Sequence, residues 1–280
     1  MIVSAPVTLN GSKAVVQHRI PAPFNEVVRL FWQTERVHWP YRSEVIVPKG
    51  LVEVIFDLSP INGVRAQFLN TTFDLPRVFL TGYNTRSIRV HVPRLHNSFG
   101  VVLHPSATKR FFGVPARECV DHCLDLTLVD PGSVALWHEV AMGPTFEVRQ
   151  AAVFRWIQQR YTTWEARERA MDGFLSDPRG ARLSVTQLAD HLCWSTRQLG
   201  RRMHELTGMN TEQLLLYKKH LHALDLIHHS ARSLTEIAYS SGFADQAHFT
   251  RSFKSLAGVT PKMYRAHKGA VVGHFNEDVR

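Results

Sequence analysis

The chain has 280 residues, 44% of them hydrophobic and 20% charged, a balance that suits about two folded domains and excludes a disordered polyelectrolyte. No apolar run reaches the ~18 residues of a spanning helix, and the first residues lack the basic and apolar segments of a signal peptide, so a cytoplasmic protein with no membrane partner is expected. Three cysteines, an odd and small number, exclude a disulfide framework. The net charge of +9 favours polyanionic partners, but it is spread evenly: residues 1–162 carry 17 Lys/Arg against 12 Asp/Glu, and residues 163–268 carry 15 against 10. Bulk charge therefore marks neither half as the one that binds a polyanion.

Residues 1 to about 145 read as strand-rich. Val45 to Val47, Leu51 to Leu58, Val78 to Leu80, Ile88 to Val92 and Phe99 to Leu103 are β-branched or aromatic runs separated by Pro, Gly and Asn. Pro48-Lys49-Gly50 reads as a turn. Three helices are expected to interrupt the strands, over Phe24 to Trp32, Pro105 to Phe112 and Cys119 to Asp125. The fold class of this part is α+β, mixed and strand-rich, with a barrel or a sandwich as the architectures to distinguish. Its aromatics Trp32, Trp39, Phe56, Phe79 and Tyr83 are candidates to line a small-molecule pocket, and they serve equally well as core.

Two other groupings in this part suggest chemistry. Cys119, His122 and Cys123 lie within one turn, yet a structural zinc needs four ligands and no second C-x-x-C or H-x-x-x-H accompanies them; nor does a positive cluster favour a reactive thiolate. His91, His96 and His104 fall in or beside strands, where scattered histidines are usually structural. Neither metal nor cofactor is expected. No G-x-S-x-G, P-loop or G-x-G-x-x-G occurs, so the chain carries no local signature of hydrolase or nucleotide chemistry and is not expected to be an enzyme.

Glu147 to Tyr161 reads as a helix with Val148, Ala152, Trp156 and Ile157 close to one side, suited to closing the domain against its own sheet or to contacting a second copy. Thr162-Thr163 reads as a joint, followed by a helix over Trp164 to Leu175 and a loop over Ser176 to Ala181. The organisation expected is a strand-rich sensor or interaction domain over 1–162, an all-α domain over 163–268, and a tail over 269–280.

The all-α part repeats one design. In Leu234 to Tyr264, Ser233 and Glu236 have capping-box spacing, Gly242 marks a turn, and Phe249, Phe253 and Leu256 share one side of a second helix. Ala247, Arg251 and Lys254 lie opposite, with Gln246 and Thr250 near the helix start. In Ser184 to Asn210, Ser184 with Gln187 and Ser195 with Gln198 repeat the capping spacing; Leu199, Met203 and Leu206 point inward, and Arg197, Arg201 and His204 point outward. The offset is 49 residues before the turn and 50 after it. Two helix-turn-helix units presenting arginine at the same helical position suit major-groove reading, since Arg matches guanine O6/N7 and Gln matches adenine N7/N6. Thr211 to His229 between them reads as one helix of about five turns, a rigid spacer.

The residues Leu188-Ala189, S-x-R-x-L-x-R at Ser195 to Arg201, IA-x-x-x-GF at Ile237 to Phe243, Asp245 to Lys254, and GVTP-x-x-Y at Gly258 to Tyr264 resemble the AraC family of bacterial transcription regulators. The resemblance covers about the C-terminal hundred residues. It implies two recognition helices in successive major grooves, with Arg197, Arg201, Gln246 and Arg251 facing bases. Ser195, Thr196, Gln198, Arg202, His204, Asp245, His248, Thr250 and Lys254 would then sit against the backbone or at the periphery. The partners implied are double-stranded promoter DNA, RNA polymerase, a small-molecule effector and a second copy of the chain. Thr211 in place of a proline, and Lys219-His220 in place of Arg-Leu, depart from the pattern and should soften one helix start and its packing. VPKG-x-VEVIFDL, TGY near Gly82 and FGVVLHPSATKRFFGVPA at Phe99 to Ala116 are similar to the N-terminal domain of one subfamily whose activity is poorly defined. The rival reading is a ligand-binding or protein-interaction module whose helical domain no longer binds DNA.

Overall fold

A computed structural model describes residues 7–9, 12–17, 20–37, 43–61, 63–177, 184–269 and 271–276. Its strands are β1 (Val7–Leu9), β2 (Ser12–Gln17), β3 (Val28–Arg36), β4 (Ser43–Ile46), β5 (Val52–Asp57), β6 (Arg65–Phe68), β7 (Thr71–Asp74), β8 (Val78–Thr81), β9 (Ile88–His91), β10 (His96–Leu103), β11 (Cys123–Asp125) and β12 (His274–Asn276). The helices are α1 (Ser106–Phe112), α2 (Ser133–Met142), α3 (Phe146–Gln158), α4 (Ala166–Ser176), α5 (Val185–His191), α6 (Thr196–Thr207), α7 (Thr211–His229), α8 (Leu234–Ser240), α9 (Gln246–Ala257) and α10 (Pro261–His267).

Among the described residues the strands form two antiparallel sheets, in the orders β1-β2-β3-β10-β5-β8-β11 and β12-β4-β9-β6-β7. The larger sheet lies between two layers. On one side α1 to α3 cover it, burying Phe31, Val54, Phe56, Phe99, Val101, Leu136, Val140 and Val153 in one core. On the other it faces the smaller sheet across a cavity.

That layering corrects the expected helix over Phe24 to Trp32. Only Phe24–Glu26 forms a 3-10 turn, and β3 follows, paired with both β2 and β10. Val27, Val28 and Phe31 mimic a helical face, but a strand apolar on both faces breaks simple alternation. Phe31 packs edge-on against Phe154 at 5.2 Å, while its neighbours Leu30 and Trp32 face the cavity. The expected helix over Cys119 to Asp125 is likewise replaced, by a 3-10 turn over Ala116–Cys119 and the strand β11. Asp121 has φ of 55° between them, incompatible with helix. Its carboxylate accepts from the Thr85 amide and hydroxyl at 2.6 Å each, which holds the chain there. The helix α2 was not foreseen. In α3, Ala152, Trp156 and Ile157 are buried as expected, whereas Val148 is exposed.

The helical half has the expected layout. Capping boxes close the starts of α5 (Ser184 with Gln187), α6 (Ser195 with Gln198) and α8 (Ser233 with Glu236), each satisfying helix-end amides that have no partner within the helix. α7 spans the full length expected. Its start is not softened by Thr211, because Asn210 and Gln213 form a further capping box.

The two halves share apolar packing. The core beneath α1 to α3 continues through Trp164, Met171, Leu188, Leu199, Met203, Leu206 and Tyr217. The second helix-turn-helix unit closes its own core with Val45 of β4, Val47 just after that strand, and Phe275 from β12. The C-terminal segment thus returns to the smaller sheet, pairing β12 antiparallel to β4.

Candidate nucleic-acid interface

The two helix-turn-helix units have the same backbone geometry at the turn. After α5 the Trp194 amide donates to Ala189 O at 2.9 Å, and after α8 the Phe243 amide donates to Ala238 O at 3.0 Å. The residue before each donor is left-handed, Cys193 at φ 51° and Gly242 at 81°. Glycine adopts that conformation freely; Cys193 does so at a steric cost. Both second helices end on a left-handed glycine, Gly208 at 71° and Gly258 at 72°, which returns an amide to the last turn.

Leu199, Met203 and Leu206 on α6, and Phe249, Phe253 and Ala257 on α9, are buried. The opposite faces are open. Arg197, Arg201 and His204 on α6, and Gln246, Ala247, Arg251 and Lys254 on α9, are exposed. Among the described residues no hydrogen bond or ion pair engages the side chains of Arg197, Arg201 or Lys254. Arg251 lies near the Asp245 carboxylate, which the His248 amide holds below its ordinary pKa.

Several other expected contact residues already have partners. Ser195 accepts from the Gln198 amide at 3.2 Å while Gln198 Oε1 accepts from the Ser195 amide at 2.9 Å. Asp245 accepts from the His248 amide at 2.6 Å, and the His248 ring packs edge-on against Phe243 at 5.5 Å. Thr250 donates its hydroxyl to Gln246 O at 2.8 Å, and Thr235 donates to Gln246 Oε1 at 2.6 Å, steadying that carboxamide. Arg202 is turned toward the protein, bound to Glu205 at 2.8 Å and to Glu168 at 3.2 Å. Thr196 is exposed at the start of α6.

Contacts behind the open faces fix their orientation. At the end of α6, a Cβ placed on Gly208 would come within 2.7 Å of a Val120 methyl, so the helix end sits directly on the loop after the 3-10 turn at Ala116–Cys119. Lys109 pairs with Glu205 at 2.6 Å beside it. At the end of α9, Ser87 donates to Ala257 O at 2.6 Å. Lys219 donates to Gly242 O at 2.7 Å, tying α7 to the second turn. His220 is buried with its ring 4.8 Å from Phe253 and its Nε2 3.2 Å from Pro48 O. The Lys219-His220 pair, read from the sequence as a softening of α7, supplies contacts to the second unit and to the strand-rich half.

Of the candidate pocket aromatics, Trp32 and Phe79 line the cavity between the sheets. Phe56 lies in the core under the helices, its ring 6.2 Å from Phe99, and Tyr83 packs 6.0 Å from Tyr217 of α7. Trp39 lies outside the described residues. Burial pushes the thiols of Cys119 and Cys123 up to about 11 and about 12, which keeps them protonated. Among the described residues no group of three or more His, Cys, Asp or Glu is placed to hold a metal ion, and no helix is long and apolar enough to cross a membrane.

Residues 188–267 match a family described as a helix-turn-helix domain, and residues 17–125 match a domain of unknown function (DUF6597). The HTH-type transcriptional activator RhaS of Escherichia fergusonii is 32% identical over 106 residues, 38% of this chain and 38% of RhaS, so the chain spans well under half the length of that relative. The DNA-binding domain of AdpA, solved with a target DNA, is 32% identical with a TM-score of 0.29, covering 30% of this chain and 77% of that one. An AraC-type regulator from Chromobacterium violaceum is 26% identical with a TM-score of 0.29, covering 31% and 80%.

Proposed function

Starting from a chain that matches AraC-family transcription regulators through its C-terminal pair of helix-turn-helix units, we propose that it is a sequence-specific DNA-binding regulator whose helices α6 and α9 enter successive major grooves from one side of a duplex. The observation that carries this reading is the equivalence of the two units: the same turn hydrogen bond, the same left-handed helix end, and an exposed arginine, Arg201 or Arg251, 50 residues apart at the same helical position. Arg197 and Arg201 read one groove, and Gln246 and Arg251 the next. Lys254 neutralises phosphate, with Thr250 and Ser195 near the backbone. Arg202 and His248 support the helices from behind. α7 sets the spacing. The strand-rich half responds to an effector or partner, and because it is packed against both units, any change in it is felt at α6 and α9. A second copy of the chain and RNA polymerase are the protein partners of this reading.

Selection of bound sequences from random DNA by the full-length protein tests it. The expected result is a bipartite site whose halves lie about one helical turn, roughly 10 base pairs, apart. A pool that enriches no sequence would overturn it and favour the protein-interaction alternative.

A further inference from the structure

The two sheets enclose a cavity of about 370 Å³, within the roughly 300–1,000 Å³ of small-molecule sites. Its walls are largely aliphatic, with Leu30 and Ile55 on the larger sheet facing Ile46, Ile88 and Val90 on the smaller one. The charged groups along it are mutually neutralised. Arg36 pairs with Glu44 at 2.7 Å, and Lys49 with Glu53 at 2.9 Å. Trp32 donates its indole N–H to Glu53 at 2.8 Å. Asp57 pairs with Arg77 at 3.4 Å, so an anion entering here would meet only cations already engaged by carboxylates. Two neutral polar groups along it keep a buried atom without a partner among the described residues, Gln33 Oε1 and His96 Nδ1. Gln33 alternates with the cavity-facing Trp32 along β3, toward the face that the helices cover, which leaves His96. His96, 9% exposed, has Nε2 2.8 Å from Ser98 Oγ, while its Nδ1 is buried without a partner among the described residues. Burial holds its pKa at about 3, which keeps the ring uncharged.

The remaining wall comes from the far end of the chain. Val271, Val272 and His274 line the cavity immediately after α10, and β12 pairs there with β4. Alternate residues of this short strand serve different layers. His274 lies 3.0 Å from Glu44, whereas Phe275 packs edge-on against Tyr264 in the core of the second helix-turn-helix unit. Tyr264 in turn accepts from the Gly273 amide at 2.8 Å.

We infer that this cavity binds a neutral, mainly apolar small molecule with a single hydrogen-bonding end at His96, and that the C-terminal strand is the wall through which its occupancy reaches the second helix-turn-helix unit. The site is the effector site of the regulator reading above, but its binding and its effect on β12 can be measured without DNA.

The probes are 1-decanol and decanoate, equal in chain and different in head-group charge, added to the full-length protein at about pH 8, where decanoate is ionised. Decanol is expected to bind saturably, to raise the unfolding temperature and to slow amide exchange in α10 and β12; decanoate should bind about tenfold or more weakly, since its charge would enter unpaired. Val272→Trp, which fills the cavity from the strand, should abolish decanol binding. Val90→Trp fills it from β9, two strands from β12 in the same sheet, and serves if the first variant does not fold. No saturable decanol binding, equal binding of decanoate, or binding unchanged in the tryptophan variant overturns the ligand assignment; unchanged exchange in α10 and β12 on binding overturns the transmission. Decanol binding by a protein that enriches no DNA sequence would remove the regulator reading and leave the cavity assignment standing. A selected DNA site with no decanol binding would do the reverse.

Discussion

Gly50 and Tyr217, 167 residues apart in the chain, are joined by a hydrogen bond of 3.1 Å from the glycine amide to the tyrosine hydroxyl. The hydroxyl in turn donates a hydrogen bond to Asn84 O at 2.8 Å, so one side chain of α7 satisfies two backbone groups of the strand-rich half. Gly50 has φ of 63°, and a Cβ there would lie 2.6 Å from a Leu221 methyl, so glycine is needed both for the conformation and for the close approach. The spacer helix is therefore a docked element. Tyr217→Phe would leave the buried Gly50 amide and the half-buried Asn84 carbonyl without this partner, at a cost of about 1–3 kcal/mol. The midpoint of urea unfolding should fall accordingly; an unchanged midpoint would show that the hydroxyl does not hold the halves together.

The faces of α6 and α9 predict three different outcomes for three basic residues. Arg251→Ala should weaken binding by ~1–3 kcal/mol and relax base preference at one position, as the proposed reading of base edges by this exposed arginine requires. Lys254→Ala should weaken binding to all sequences alike and reduce the salt slope by about 1. Arg202→Ala should lower stability with little effect on base preference, since Arg202 is bound to Glu168 and Glu205. Mobility-shift titrations at several salt concentrations, with an unfolding curve for each variant, separate the three. A base-preference change in Arg202→Ala would mean that its ion pairs open on DNA.

The helix-turn-helix units were legible because their determinants are local. Ser195 with Gln198 and Ser233 with Glu236 bond within three residues, and the inward Leu199, Met203, Phe249 and Phe253 follow the helical period within single helices, a pattern that shows whatever they pack against. Val27, Val28 and Phe31 misled because their partners are distant in the chain: β10 lies some 70 residues on, and two-sided burial gives a strand the apolar density of a helix. The cavity was half legible, since Trp32 and Phe79 line it, but Phe56 and Tyr83 have the same composition and face other layers. Its C-terminal wall had no sequence signal, because Val271, Val272 and His274 acquire their role only when β12 meets β4. Arg202 and Arg201 are adjacent and chemically identical; what separates the engaged side chain from the open one is the position of Glu168 on α4 and of Glu205 one turn on, which a sequence pattern does not display.

Gly100 gives a test of the cavity wall. In β10 it stands opposite Trp32, and a Cβ there would fall 2.1 Å from the indole ring. Gly100→Ala must push the ring aside and strain the Trp32–Glu53 hydrogen bond, which overpacking of this kind makes destabilising by about 1–3 kcal/mol. Tryptophan emission should shift as the indole loses that bond. Unchanged emission and stability would mean that the ring has room to move.

Acid should weaken the fold before the pH reaches the ordinary carboxylate range. Burial lowers the pKa of His220 to about 4, outweighing its hydrogen bond to Pro48 O, and lowers His104 to about 4 and His96 to about 3. Each of these rings stays neutral in the folded chain while the unfolded chain protonates it near 6.5. The unfolded state therefore binds more protons below pH 6.5, so the stability fully present above that value is lost as the pH falls toward 4, at about 1 kcal/mol per pH unit for each histidine. Asp172 acts in the opposite sense. Burial raises it to about 6 against its bonds to Ser106, so the folded chain holds that proton and gains stability as the pH falls from 6. Asp57, which burial also raises, acts in the same sense as Asp172, and three histidines against two aspartates leave a net loss. His220→Gln keeps an N–H to offer Pro48 O but cannot titrate, and it should flatten the decline in urea midpoint between pH 6.5 and 4 relative to the parent chain. Parallel declines in the two proteins would mean that His220 takes up its proton without unfolding, and that the contact between Pro48 and α7 tolerates a charge.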